Sequence, residues 1–187
     1  MGLEAVHKNL LPVFKAIDDC IEKHRTLPAL ILIYATIDIV ASLQRQEGEG
    51  TRSSFVRWAE SYLTPAAELD CSGIDLYAAR CGILHTLTTE ADLVHKGEAK
   101  RVVYAWGTAA APKLQEASRL LGYDQVVVHV AILRDSLRGA VARFLEDLER
   151  HPHLRVEAER AASLWFDDLE PQLIDLFLGR TSEGPTA

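Results

Sequence analysis

An arginine and a histidine lie five positions apart in the segment 75–85, which reads Asp-Leu-Tyr-Ala-Ala-Arg-Cys-Gly-Ile-Leu-His. On one helix, Arg80 and His85 are separated by about 7.5 Å of rise and about 140° of arc, so they flank a stripe that contains Tyr77 and Cys81. Histidine can exchange a proton with a ribose 2′-hydroxyl or with a leaving oxygen near neutral pH. Arginine stays charged and can hold phosphate oxygens through parallel N–H donors. The pair is therefore suited to cleaving an RNA phosphodiester, with no cofactor and no metal site required.

The motif from Arg80 to His85 resembles the Arg-polar-x-x-x-His signature of the HEPN superfamily, helical proteins that include many RNases. The resemblance extends over roughly Leu10 to Thr89: helices precede the motif, the second is largely apolar, and the motif lies on a later helix. Cys81 departs from the pattern, because the residue after the arginine is usually polar and often asparagine. Whether the motif is catalytically active therefore stays open at this point.

The resemblance implies a homodimer in which Arg80 and His85 of both subunits build one composite site on RNA. Arg80 is expected to bind and stabilise the phosphate, and His85 to act as the general acid or base. The products are then a 2′,3′-cyclic phosphate or 3′-phosphate and a 5′-hydroxyl. By analogy with the family, a toxin or defence role with a protein antitoxin or regulator as partner is also implied. In such a dimer, Gly82 is expected to allow close approach of another helix.

Asp38 stands in an apolar run, between Ile37 and Ile39. A buried carboxylate is costly unless it is paired, so Asp38 is expected to have a partner. Two interpretations stay open and are compatible: a buried salt bridge to Arg80 or another base, and a catalytic role in which Asp38 orients Arg80 or His85.

Four further residues are candidates for RNA binding: Tyr77, Lys96, Lys100 and Arg101. The three basic residues form a cluster shortly after the motif helix. Tyr77 could contact a base or phosphate, but an aromatic residue one turn before an arginine is more often a packing residue. Asp75 lies three positions after Ser72 and is expected to cap that helix rather than to do chemistry.

The alternative function is a non-catalytic HEPN-like helical module that binds RNA, a nucleotide or a protein partner. The net charge of −7, from 20 basic and 27 acidic residues, favours it because general electrostatic attraction to nucleic acid is absent. Exposure of the two heads separates the alternatives. An open groove at the guanidinium of Arg80 and the imidazole of His85 favours the enzyme. If both groups are instead buried in the core and paired with Asp38, the binding module is favoured.

Helical periodicity over most of the 187 residues predicts a mostly α fold: a helical bundle with a small two-stranded β element in the second half. One domain is predicted over 1–179, with a strand–helix–strand insert near 99–130 and a disordered tail over 180–187. The helices are predicted from Leu3 or Leu10 to His24, Leu27–Gln44 (capped by Thr26), Thr51–Leu63, Ile74–Thr89, Pro112–Leu121, Ile132–Arg150, Leu154–Phe166 and Pro171–Leu178. The strands are predicted at Arg101–Trp106 and Gln125–Val130.

Two surfaces of the long predicted helix Ile132–Arg150 are also predicted. Leu137 and Val141 are expected in the core, and the basic side formed by Arg134, Arg138 and Arg143 is expected to face solvent.

The three cysteines are Cys20, Cys71 and Cys81, an odd number without a CxxC pair, and they indicate a reducing compartment. We expect a cytoplasmic protein with neither a signal peptide nor a membrane span, since the most apolar stretch contains Asp38 and is short.

Overall fold

The computed structural model describes residues 2–66, 69–165 and 174. In chain order its elements are α1 (Gly2–Glu22), α2 (Thr26–Ser42), α3 (Thr51–Trp58), a π-helical turn (Ala59–Leu63), a 3₁₀ turn (Thr64–Ala66), α4 (Gly73–Thr86), α5 (Asp92–His95), β1 (Arg101–Ala105), α6 (Ala111–Leu120), β2 (Gln125–His129), α7 (Val130–Arg150) and α8 (Pro152–Ala162). The predicted mostly α bundle with a small two-stranded element in the second half is confirmed.

Helix α2 is the centre of the bundle. Its apolar residues leave it no polar face, and it contacts α1, α3, α4 and α7. Ile33, Ile37 and Val40 are completely buried. Leu137 and Val141 are buried on α7, as predicted. Since α2 carries Asp38 and α4 carries the Arg80–His85 motif, the packing of these two helices positions the candidate site.

The two strands pair in parallel, with Arg101 opposite Gln125 and Ala105 opposite His129. Helix α6 connects them and packs on β2, while β1 packs on α4. The buried hydroxyls of Tyr34 and Tyr104 are 2.7 Å apart and join α2 to β1. The strand–helix–strand segment is therefore attached directly to the two helices that carry the motif residues.

The basic side of α7 faces solvent only in part: the Arg138 side chain is 41% exposed, whereas that of Arg134 is 20% exposed. Arg134 and Arg138 both bind Asp18 of α1, the former at 2.8 Å. Arg143 donates to the carbonyl oxygen of Tyr62 at 2.6 Å. Burial raises the pKa of Asp18, but the hydrogen bonds and charges of the two arginines outweigh burial and lower it overall. These arginines fasten α7 to α1 and to the π-helical turn, contacts that a single helix's sequence pattern does not reveal.

Three predicted helix ends were wrong. Helix α8 ends at Ala162 instead of Phe166. Thr26 is the first residue of α2 rather than its cap; the N-cap is Arg25, whose side chain makes no capping hydrogen bond. Helix α4 ends at Thr86 instead of Thr89, because Leu87 adopts a left-handed backbone (φ 56°) and the Thr88 N–H donates to the Gly82 carbonyl. The predicted helix Pro171–Leu178 and the tail from 180 lie, apart from residue 174, outside the described residues.

Candidate active site

The start of α4 is built by a capping box, as Ser72 and Asp75 predicted. The Asp75 N–H donates to Ser72 Oγ (3.3 Å), and the Ser72 N–H donates to Asp75 Oδ2 (2.9 Å). Asp75 Oδ1 also accepts from the Lys100 N–H at 2.7 Å. Asp75 therefore has a structural role, which ties the start of the motif helix to the start of β1.

Asp38, Arg80 and His85 form one continuous hydrogen-bonded unit. Arg80 Nε and Nη2 each lie 2.6 Å from Asp38 Oδ2, and Arg80 Nη1 lies 2.9 Å from His85 Nε2. The salt bridge between Asp38 and Arg80, one of the two interpretations of Asp38 from the sequence, is thus present and joins residues 42 positions apart. The guanidinium links a carboxylate on α2 to an imidazole on α4.

The contact between Arg80 and His85 determines the imidazole tautomer. A guanidinium has only donors, so His85 Nε2 must be the acceptor and the proton of the neutral ring lies on Nδ1. The lone pair of Nε2 is therefore aimed at Arg80 in this conformation. Access of a substrate proton to that lone pair requires Arg80 to turn toward another acceptor.

The three side chains differ in exposure. The side chains of Arg80 and Asp38 are 15% and 17% exposed, whereas His85 is exposed. Burial lowers the pKa of Arg80, but the hydrogen bond and charge of Asp38 outweigh burial and raise it overall. Asp38 Oδ1 is buried without a hydrogen-bond partner. The ion pair is consequently nearly withdrawn from solvent, while the histidine end of the unit stays accessible.

Tyr77 and Cys81 surround the Arg80 guanidinium. Arg80 Cζ lies 5.8 Å from the centroid of the Tyr77 ring, a distance suited to a cation–π contact, and that ring also packs edge-on against Phe55. Cys81 Sγ lies 4.0 Å from Arg80 Nη1. The residue after the arginine therefore does contact it, but as a weak sulfur acceptor in place of a polar side chain.

His85 and Tyr77 line an open pocket of about 460 Å³. The other lining residues come from α3, from the end of α4 and from the segment that follows it: Arg52, Cys81, Gly82, Thr86, Glu90, Ala91, Asp92, Leu93 and Lys96. The ion pair lies beside the pocket and reaches it through His85 and Tyr77. The two side chains therefore point to different alternatives. Arg80 is paired with Asp38, as expected for the binding module, whereas His85 faces an open pocket, as expected for the enzyme.

Gly82 is needed by the fold of this chain itself. A Cβ at Gly82 would lie 2.4 Å from the carbonyl oxygen of Thr88, closer than real Cβ atoms approach. The expected close approach is therefore present, but the neighbour is the turn after α4 and not another helix. This turn brings the 88–96 segment back over the motif helix and closes one side of the pocket.

The three basic residues of the predicted cluster have different surroundings in the structure. Lys96 is exposed and lines the pocket beside His85. Arg101 is ion-paired with Glu90, a pocket-lining carboxylate. Lys100 lines a different groove, which it shares with Asp75 and not with His85. The structure therefore brings only Lys96 directly to the pocket.

Sequence reasoning missed Arg52 and Glu90. Arg52 lines the pocket from α3 and is ion-paired with Glu98 at 3.0 Å, with both side chains about half exposed. Glu90 binds Arg101 and lies 3.6 Å from His95 Nε2. Neither position carries a local signal, because Arg52 reaches the pocket through the packing of α3 on α4 and Glu90 reaches it through the turn after α4.

The chain matches no protein-family model, and no curated protein or solved structure is significantly similar to it. Across the residues that the structure describes, no three or more His, Cys, Asp and Glu side chains are grouped to hold a metal ion. Within the same residues, no helix has the length and apolar character needed to cross a membrane.

Proposed function

We propose that this protein is a metal-independent endoribonuclease of HEPN type that acts as a homodimer on RNA. The observation that carries the proposal is the hydrogen-bonded unit of Asp38, Arg80 and His85 beside an open pocket. RNA transesterification needs two groups: a guanidinium to stabilise the phosphate, and a histidine nitrogen that accepts a proton, which His85 Nε2 can do once Arg80 turns toward the substrate.

In this mechanism the scissile phosphate draws an Arg80 N–H away from His85. His85 Nε2 is then free to accept the proton of the ribose 2′-hydroxyl, whose oxygen attacks phosphorus. The bond from phosphorus to the 5′-oxygen breaks, and the leaving oxygen takes a proton from the second histidine of the composite site. Arg80 stabilises the charge that accumulates on the phosphate oxygens. The products are a 2′,3′-cyclic phosphate and a 5′-hydroxyl.

Asp38 acts here as a positioning residue. It holds two Arg80 nitrogens on one oxygen, so the remaining nitrogen is directed toward His85. Lys96 is an exposed lysine that lines the pocket, and among the described residues it has no ion-pair partner within 4 Å. In this mechanism it binds a neighbouring phosphate.

The second candidate is a non-catalytic module that binds RNA, a nucleotide or a protein partner. Two observations favour it: the Arg80 nitrogens are already engaged within the chain, and Cys81 occupies the position that is usually polar. In that case the same pocket binds an anion without cleaving it.

The deciding experiment is cleavage of a mixed RNA pool in EDTA by wild type, His85→Ala and Arg80→Ala. Removal of a general acid–base residue is expected to slow cleavage by about 10²–10⁴-fold. His153→Ala is the matched control, because His153 is an exposed histidine on α8, away from the pocket. Thermal melting of each variant separates lost chemistry from lost folding.

Loss of cleavage in both variants, with cleavage by His153→Ala unchanged, supports the nuclease. RNA that binds to wild type but stays intact favours the binding module. Equal cleavage by wild type and His85→Ala would contradict the assigned role of the histidine.

A further inference from the structure

A separate cavity lies at the carboxyl ends of the two parallel strands. Its volume is about 180 Å³, and it shares no lining residue with the pocket beside His85. The lining residues come from the corner between α1 and α2 and from the ends of β1 and β2: Ile21, His24, Thr26, Trp106, Gly107, His129, Val130 and Ala131. The carboxyl edge of parallel strands is where α/β units commonly bind ligands.

His24 occupies a backbone position that favours glycine. The His24 N–H donates to the Ile21 carbonyl (3.0 Å) and the Arg25 N–H donates to the Cys20 carbonyl (2.7 Å), which is the Schellman pattern at a helix end. His24 has φ 54°, the left-handed conformation that side chains disfavour. The chain nevertheless carries an imidazole there, and that ring lies 5.7 Å from the Trp106 ring.

Trp106 and His129 present ring surfaces to the cavity. Trp106 is 52% exposed, so about half of this large apolar side chain is left without packing partners. His129 Nδ1 accepts from the Ala131 N–H (3.2 Å), so Nε2 carries the proton and donates it to the Gly107 carbonyl (3.1 Å). Both nitrogens of His129 are thereby committed, and it offers the cavity only ring surface.

Two polar side chains that line the cavity, His24 and Thr26, can form hydrogen bonds with a ligand. Among the residues that the structure describes, neither the His24 imidazole nor the Thr26 hydroxyl has a hydrogen-bond partner. Each can donate or accept one bond at the edge of a bound molecule. The lining includes no lysine or arginine, so a phosphate group would find no compensating charge.

We infer that this cavity binds a small planar heteroaromatic molecule of nucleobase size that carries no phosphate. The volume agrees, since an apolar cavity of about 150 Å³ holds benzene. The rings of Trp106, His24 and His129 give the cavity aromatic surface on which a flat ligand can stack, and the His24 and Thr26 groups match its polar edge. This inference does not depend on the proposed nuclease activity.

The test uses adenine as the probe with the full-length chain, read by saturation-transfer NMR and by the melting temperature. At about ten times Kd, the melting temperature is expected to rise by about 3–6 °C. His24→Gly and Trp106→Ala are each expected to weaken binding about tenfold or more, the usual effect of losing one stacked ring. Adenosine 5′-monophosphate is expected to bind more weakly than adenine.

Leu87→Gly is the matched control, because Leu87 is the other described non-glycine residue with a positive φ (56°) and lies outside this cavity. It introduces the same substitution at the same backbone conformation, and His85→Ala tests the other pocket. Both variants are expected to bind adenine as wild type does. No saturation transfer with wild type, binding that survives both His24→Gly and Trp106→Ala, or tighter binding of the monophosphate would each overturn the inference.

Discussion

Replacing Asp38 by leucine tests whether the ion pair with Arg80 is the contact that holds the motif helix to α2. The substitution leaves the Arg80 charge without its partner at a site where only 15% of the side chain is exposed. Removing one member of a buried pair costs about 3–5 kcal/mol, and the residual solvent access here places the expected loss at about 2–4 kcal/mol. For a chain of this size that corresponds to a fall in melting temperature of roughly 4–16 °C.

The double variant Asp38→Leu, Arg80→Met supplies the control. It removes both charges and keeps apolar volume between the helices, so it is expected to recover most of the lost stability. Asp38 Oδ1 has no hydrogen-bond partner even in the intact pair, so little is lost when the pair is removed as a whole. Urea unfolding with an unchanged m-value measures both changes. The reasoning is refuted if Asp38→Leu unfolds within about 1 kcal/mol of wild type, or if the double variant is no more stable than Asp38→Leu.

Three further predictions concern stability. Gly82→Ala is expected to lower the free energy of unfolding by about 1–3 kcal/mol, because the added Cβ would clash with the backbone of Thr88. Gly139→Ala is the control: its Cβ meets only the end of an arginine side chain, so it should be neutral or stabilising by up to about 1 kcal/mol. Equal melting temperatures of the two variants would contradict this prediction. Asp18→Asn removes a carboxyl whose pKa is lowered below its ordinary 3.8 in the folded state, so the stability difference from wild type should be fully present above that ordinary value and be lost as pH falls through the lowered pKa. A difference that stays constant as the pH falls below 3.8 in urea titrations would refute it. His24→Gly and Leu87→Gly each relieve a left-handed backbone and should raise stability by about 0.5–1 kcal/mol in thermal melts, and a loss in both would show that these conformations carry no strain.

Local patterns were sufficient for the longer helices and both strands, but the one-turn helix α5 (Asp92–His95) was not predicted. The residue period of 3.6 located the major helices to within a few positions, and the β-branched runs located both strands, because burial of one face repeats along the chain. The capping box at Ser72 and Asp75 was also readable, since both partners lie within one helical turn.

The predicted role of Gly82 shows which contacts local sequence patterns cannot predict. A glycine inside a helix indicates close approach by some neighbour, and the sequence does not say which one. The neighbour is the carbonyl of Thr88, brought back by the left-handed turn at Leu87. That turn follows from backbone hydrogen bonds to Gly82, which leave no signature in residue types.

By itself, the sequence determined that this chain is mostly helical, that Arg80 and His85 share one helix, and that the carboxylate of Asp38 needed a partner. Only the tertiary structure decided that this partner is Arg80, that Lys96 and Arg52 reach the same pocket while Lys100 does not, and that Glu90 binds Arg101. The reason is physical. Periodicity and capping are set by neighbours within one or two turns, whereas an ion pair between residues 42 positions apart depends on how α2 and α4 pack, and that depends on the whole core.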